Sequence, residues 1–201
     1  AAMLAKTTAI LLGLTAAAAA AQVPTDGLVL WLDADETSTF MFDTSTGQPQ
    51  VRRWANKINT ADAVGQPTVA LQPRWIAGAL NGRAVVRFDG FNDALRNVNF
   101  LATPVAQLTV FMVVNPTSNA GGYRAFFSAG LNGQNDYQTG INIDQGEPSS
   151  SDFSYVNIEG TKRTTQGGLD FMTSSRPFGT PTIIQVNYLT NEYGLLVNGD
   201  G

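Results

Sequence analysis

From Val23 onward the chain has no long stretch of 3.6-residue periodicity; it is a succession of short apolar runs broken by glycine, asparagine and aspartate. A helix needs an apolar stripe sustained over ten or more residues, whereas a strand needs only four to eight, so this spacing selects β-structure. Strands are expected at Leu28 to Leu32, Val51 to Trp54, Thr68 to Leu71, Ala84 to Phe88, Leu108 to Val114, Ala125 to Ser128, Gly140 to Asp144, Phe153 to Ile158, Leu169 to Met172, Thr182 to Leu189 and Tyr193 to Val197. Eleven such strands imply two packed layers, an all-β antiparallel sandwich. Asn81-Gly82, Asp89-Gly90, Asn132-Gly133 and Asn198-Gly199 lie in or between these segments and tolerate the positive torsions of tight turns.

Side chains alternate between the faces of a strand, so the order of residues predicts what each face meets. In Leu108 to Val114 both alternating sets are largely apolar, the pattern of a central strand covered on both sides. In TIIQVNYL, Ile184, Val186 and Tyr188 share one face while Gln185 and Asn187 share the other, which makes that outer side wetter and a candidate binding surface.

Charge and composition narrow the function. The 201 residues are 43% hydrophobic, enough for a core, and only 14% charged, against about 25% in ordinary soluble chains. Twelve basic and 16 acidic residues give a net charge of -4 without a basic stripe, which makes nucleic acid a poor partner. Cysteine and histidine are both absent. Their absence removes disulfides, thiolate nucleophiles, zinc-thiolate sites, the commonest general base and the commonest transition-metal ligand.

Residues 1–22 read AAMLAKTTAILLGLTAAAAAAQ: a single cation at Lys6, an apolar stretch, then small residues. This is the layout of a signal peptide over residues 1–21, cleaved after Ala21, and it places the mature protein outside the cell. The apolar run is short against the roughly 20 residues that cross a bilayer, so no stable membrane span is expected.

Three segments carry a family resemblance. Leu28 to Asp35 (LVLWLDAD), Val51 to Trp54 (VRRW) and Asn81 to Asp93 (NGRAVVRFDGFND), with the later YGLLVNGDG, resemble LamG-like, concanavalin A-like jelly rolls of secreted bacterial proteins. The resemblance implies a LamG-like domain over residues 23–201. It also implies an incomplete jelly roll, because further strands normally follow the V-N-G hairpin and close the sheet beside the first strand. A missing strand would leave an edge open to pairing with another chain.

Some glycoside hydrolases use the same sandwich and need paired carboxylates about 5 to 5.5 Å apart in the retaining case. Their Glu-x-Asp-x-x-Glu strand pattern does not occur, and Glu36, Glu147, Glu159 and Glu192 stand apart from one another in the sequence. Asp33 and Asp35 share a face just after an expected strand, where turn capping is the ordinary role of aspartate. No cofactor is expected from the sequence, with calcium the candidate exception: Asp89 and Asp93, in the F-D-G-x-x-D turn, have the oxygen chemistry for calcium or for closing an Asx-type turn. Trp31 and Trp54 occupy core positions of the family pattern. Trp75, in a less regular stretch, is the better candidate for stacking on a sugar ring. The segment Ala129 to Gly140 offers Asn132, Gln134, Asn135, Asp136 and Tyr137, whose amide, carboxylate and phenol groups suit carbohydrate recognition or simple solvation. The expected function is a non-catalytic recognition or adhesion module that binds carbohydrate or an extracellular protein. A structural assembly subunit and a piece of a glycan-cleaving enzyme are the alternatives, and the oligomeric state is not legible.

Overall fold

In a computed structural model, the described residues are 23–97, 106–135, 138–147, 151–161, 168–170, 175–189 and 193–199. Among them the chain is all-β, with two single-turn 3-10 helices and no α-helix. The strands are β1 (Phe40–Asp43), β2 (Gln50–Ala55), β3 (Ala63–Gly65), β4 (Arg74–Leu80), β5 (Arg83–Arg87), β6 (Leu108–Val114) and β7 (Ala125–Ala129). They continue with β8 (Ile141–Asp144), β9 (Asp152–Phe153), β10 (Tyr155–Gly160), β11 (Gly168–Asp170), β12 (Arg176–Pro177), β13 (Thr182–Tyr188) and β14 (Tyr193–Val197). All pairings are antiparallel. One sheet runs β1-β2-β4-β5 with β3 on β2, a second β11-β10-β8-β7, a third β14-β13-β6, and β9 pairs with β12.

The sandwich core lies between the second and third sheets. Ile141 and Ile143 of β8, Val156 and Ile158 of β10, Ile184, Val186 and Tyr188 of β13, and Val197 of β14 form one buried cluster. The alternation in β13 is as the sequence predicts, with Thr182, Ile184, Val186 and Tyr188 buried and the residues between them more open. The β6 strand is different. It pairs with β13 only, among the described residues, and leaves Phe111 and Val113 exposed rather than covered on both faces.

Two expected strands are not strands. Val69–Leu71 is a 3-10 turn, closed by bonds from Leu71 N to Thr68 O and from Gln72 N to Val69 O. Among the described residues Leu28 to Leu32 joins no sheet, and a side chain takes the place of a partner strand. Asn56, fully buried, accepts from Trp31 N at 3.0 Å and from Ile58 N at 3.1 Å, and donates to Val29 O at 2.9 Å; Lys57 N adds a bond to Trp31 O. The Lys57 ammonium lies 4.0 Å above the Trp31 ring and 2.8 Å from Asp33.

The span Phe153 to Ile158 divides at Ser154. Phe153 pairs with Arg176 of β12, while β10 pairs with β8 and β11, so one apolar run serves two sheets. Strands β1, β3, β4 and β12 go beyond the sequence expectation. β4 is hidden because Gly78, at φ 63, sits in a register shift between Ile76 and Leu80 that interrupts the period of two. The β4–β5 turn forms at Asn81-Gly82 with φ of 49 and 79, the conformation that closes a two-residue hairpin.

Two substitutions test this reading. Ile158→Ala is expected to destabilise the fold by about 2–5 kcal/mol through a core cavity. Asn56→Ala is expected to cost about 2–4 kcal/mol, because the Trp31 and Ile58 amides lose their acceptor, and to speed hydrogen exchange at Trp31. Denaturant unfolding and amide exchange measure both.

Candidate functional site

The turn after β5 is held by its own aspartates. Asp89 Oδ1 accepts the backbone N–H groups of Phe91, Asn92 and Asp93 at 2.8, 3.0 and 3.2 Å, and Asp93 Oδ2 accepts the Asp89 N–H at 2.8 Å. The Phe91 amide, then the other two N–H groups, hold the Asp89 carboxyl below its ordinary range, and the Arg124 charge adds to this. Asp93 is pushed up, first by desolvation and then by the Asp89 charge. Gly90, at φ 73, supplies the left-handed step. The result is a stiff loop presenting Phe91 with 81% of its surface exposed, beside an exposed Phe88.

Trp75, on β4, is half-buried; its indole N–H donates to Ala34 O at 2.8 Å and its ring lies 5.7 Å from Phe42. Phe42 stacks on Phe40, and Phe40 on Trp54, so the row Trp54, Phe40, Phe42, Trp75 runs across the first sheet as packing. Asp33 caps the turn through Asp35 N, and Asp35 binds Ala84 N at 2.7 Å and Arg83 at 2.9 Å. Asn132 and Asn135 are exposed on the turn between β7 and β8, where Gln134 N bonds to Leu131 O and Leu131 N to Thr139 Oγ1 at 3.0 Å. Asp136 and Tyr137 lie outside the described residues. The structure thus joins Asp89 with Asp93 in one turn and places Trp75 and the Asn132–Asn135 turn on other elements.

A further polar group comes from the second sheet. β8 reads Ile-Asn-Ile-Asp and β10 contains Val-Asn-Ile-Glu, and their register sets Asn157 opposite Asp144 and Glu159 opposite Asn142. The isoleucines and Val156 enter the core, and the opposite face becomes a checkerboard of two amides and two carboxylates. Asn142 Nδ2 donates to Asp144 Oδ2 at 2.6 Å and to Glu159 Oε1 at 3.3 Å; Asn157 Nδ2 donates to Asp144 Oδ2 at 3.1 Å, and Gly146 N to Asp144 Oδ1. Only 1% of Asp144 and 5% of Glu159 is exposed. Burial, with the Glu159 charge as a lesser cause, pushes the Asp144 carboxyl up against the opposing hydrogen bonds from Gly146, Asn157 and Asn142. The four glutamates stand apart from one another in the sequence, and antiparallel pairing sets Glu159 beside Asn142 and Asp144 of β8. The matching alternation of amide and carboxylate in the two segments is the signal that finds this face.

No family model, curated protein or solved structure matches the chain. The chemistry of these groups therefore stands on its own geometry.

Because the Asp144 carboxyl is raised in the folded state, the native protein binds that proton more tightly than the unfolded chain does. The stability it contributes is present at low pH and declines as pH rises through its raised value. The difference in unfolding free energy between the native chain and Asp144→Asn is expected to fall as pH rises above the ordinary carboxylate value of about 4. Denaturant melts at successively higher pH measure it, and a flat difference contradicts the assignment.

Proposed function

We propose that this chain is a non-catalytic, secreted recognition module of the LamG-like, concanavalin A-like jelly-roll type, and that it binds carbohydrate. The observation that carries the reading is Phe91: a large apolar ring displayed to solvent on a turn whose backbone is fixed by Asp89. Ordering a flexible loop costs conformational entropy on binding, and this loop is ordered beforehand. An exposed flat ring supplies an apolar face for the C–H surface of a sugar, and asparagine and aspartate side chains nearby in such loops supply hydrogen bonds to hydroxyls. The β-sandwich supports the reading as a rigid scaffold for loops. Asp144 and Glu159 support a non-catalytic role, since carboxylates so deeply buried do not reach a glycosidic bond. The jelly-roll connection of the sheets belongs to this proposal.

A second reading, a subunit of a surface assembly, is favoured by one specific feature. Phe111 and Val113 of β6 and Ile183 of β13 are exposed on the outer face of one sheet, where Val113 is paired with Ile183. Contiguous apolar surface of this kind suits contact with protein.

A glycan array separates the two. The recognition reading expects saturable binding to a glycan class that falls at least ten-fold in Phe91→Ala, with the melting temperature unchanged. Silence across all glycans, combined with a Phe111→Asn variant that alters the oligomeric state, supports the assembly reading instead.

A further inference from the structure

A small cavity of about 10 Å3, room for one water-sized particle, lies where the loop before β7, the segment after β8, strand β9 and the start of β10 meet; Asn119, Gln145, Glu147, Asp152 and Tyr155 are in its wall, with Phe153 and Phe178 beside them. Asn119 is 9% exposed and Gln145 5%. The amide nitrogens of both are committed to main-chain carbonyls. Asn119 Nδ2 donates to Gln145 O, Gly146 O and Glu147 O at 3.1, 3.3 and 3.1 Å, and Gln145 Nε2 donates to Ser118 O at 3.3 Å. Neither amide can be turned over without setting its oxygen against carbonyl oxygens. Asn119 Oδ1 and Gln145 Oε1 are therefore the ends left to the cavity, and no hydrogen-bond donor meets either of them among the described residues. Two carboxylates, Glu147 and Asp152, stand in the same wall, and Glu147 Oε1 is oriented by the Tyr123 hydroxyl at 3.1 Å.

We infer that this cavity is a binding site for a hard, oxygen-seeking divalent cation of the calcium class, with Asn119 Oδ1, Gln145 Oε1 and the Glu147 and Asp152 carboxylates as its donors. Buried acceptors that face no donor are costly, and a cation answers both of them at once. Calcium takes neutral carbonyl oxygens together with carboxylates and tolerates irregular geometry, whereas magnesium demands a near-ideal octahedron and keeps its waters. Two carboxylates match the charge of one divalent ion. The Asn119 loop is already tied to the segment after β8 by the two amides and by Tyr123 N to Gly146 O and Gln145 N to Arg124 O. An ion held there adds a link from both to Asp152 of β9. This site is separate from the Asp89 turn and does not depend on the carbohydrate reading.

The test is a Tb3+ titration of the full chain followed by tyrosine-sensitised luminescence, with Ca2+ and Mg2+ as competitors. Tyr155 in the wall and Tyr123 on Glu147 are the sensitising rings. Saturable luminescence is expected, displaced by Ca2+ with a Kd on the order of 10^-4 to 10^-3 M and much less by Mg2+. Glu147→Gln, at an exposed and readily tolerated position, should weaken Ca2+ at least ten-fold, while Asp89→Asn should leave it unchanged. Failure to saturate overturns the proposal, as does a signal indifferent to Glu147→Gln or one lost in Asp89→Asn.

Discussion

The register of β8 against β10 is the constraint on which the rest depends. Both strands alternate apolar and polar residues, and pairing Asn157 with Asp144 and Asn142 with Glu159 sends every apolar member to one side. Ile141, Ile143, Val156 and Ile158 then meet β13, where Ile184 and Val186 point back at them. A slip of one residue in β10 would expose Val156 and Ile158, at about 1.5–3 kcal/mol each, and drive Asn157 and Glu159 into the core. An unpaired buried carboxylate costs several kcal/mol more. These terms act together, so the pairing has no close competitor.

The same alternation accounts for both surfaces of that sheet. One face is a dry core; the other is polar yet buried, with the Asn142 and Asn157 amide nitrogens donating to the Asp144 and Glu159 carboxylates. Rigid strands in turn fix the ends of the connecting segments. Aspartates then do locally what strands do globally: Asp89 gathers three N–H groups of its own turn, and Asp35 ties the Asp33 turn to Arg83 and Ala84. The placement of Phe91 follows from that gathering, and with it the proposed mode of recognition.

How much of this was legible in the sequence depends on whether the cause is local. Strands β6, β13 and β14 coincide with their apolar runs, and Asn81-Gly82 and Asn198-Gly199 adopt the expected positive torsions, because period and turn chemistry are properties of adjacent residues. Leu28 to Leu32 has the pattern of a strand but pairs with none among the described residues, and the buried Asn56 bonds its backbone from a distance of 25 to 27 residues. Strand β4 was illegible because Gly78 breaks its alternation. The acidic pair Asp144 and Glu159 and the amides Asn119 and Gln145 were missed as groups for one reason: each becomes a cluster only when strands pair or loops meet. The turn role of Asp33 and Asp35 was legible, since aspartate caps its own neighbourhood. The packing of the half-buried Trp75 against Phe42 was not.

The most direct measurement is isotope-edited NMR of the cross-strand backbone contacts between β8 and β10. The account predicts Asp144 opposite Asn157 and Asn142 opposite Glu159, with Ile143 and Ile158 showing contacts to Ile184 or Val186. A register in which Asp144 faces Val156 or Ile158 would contradict it.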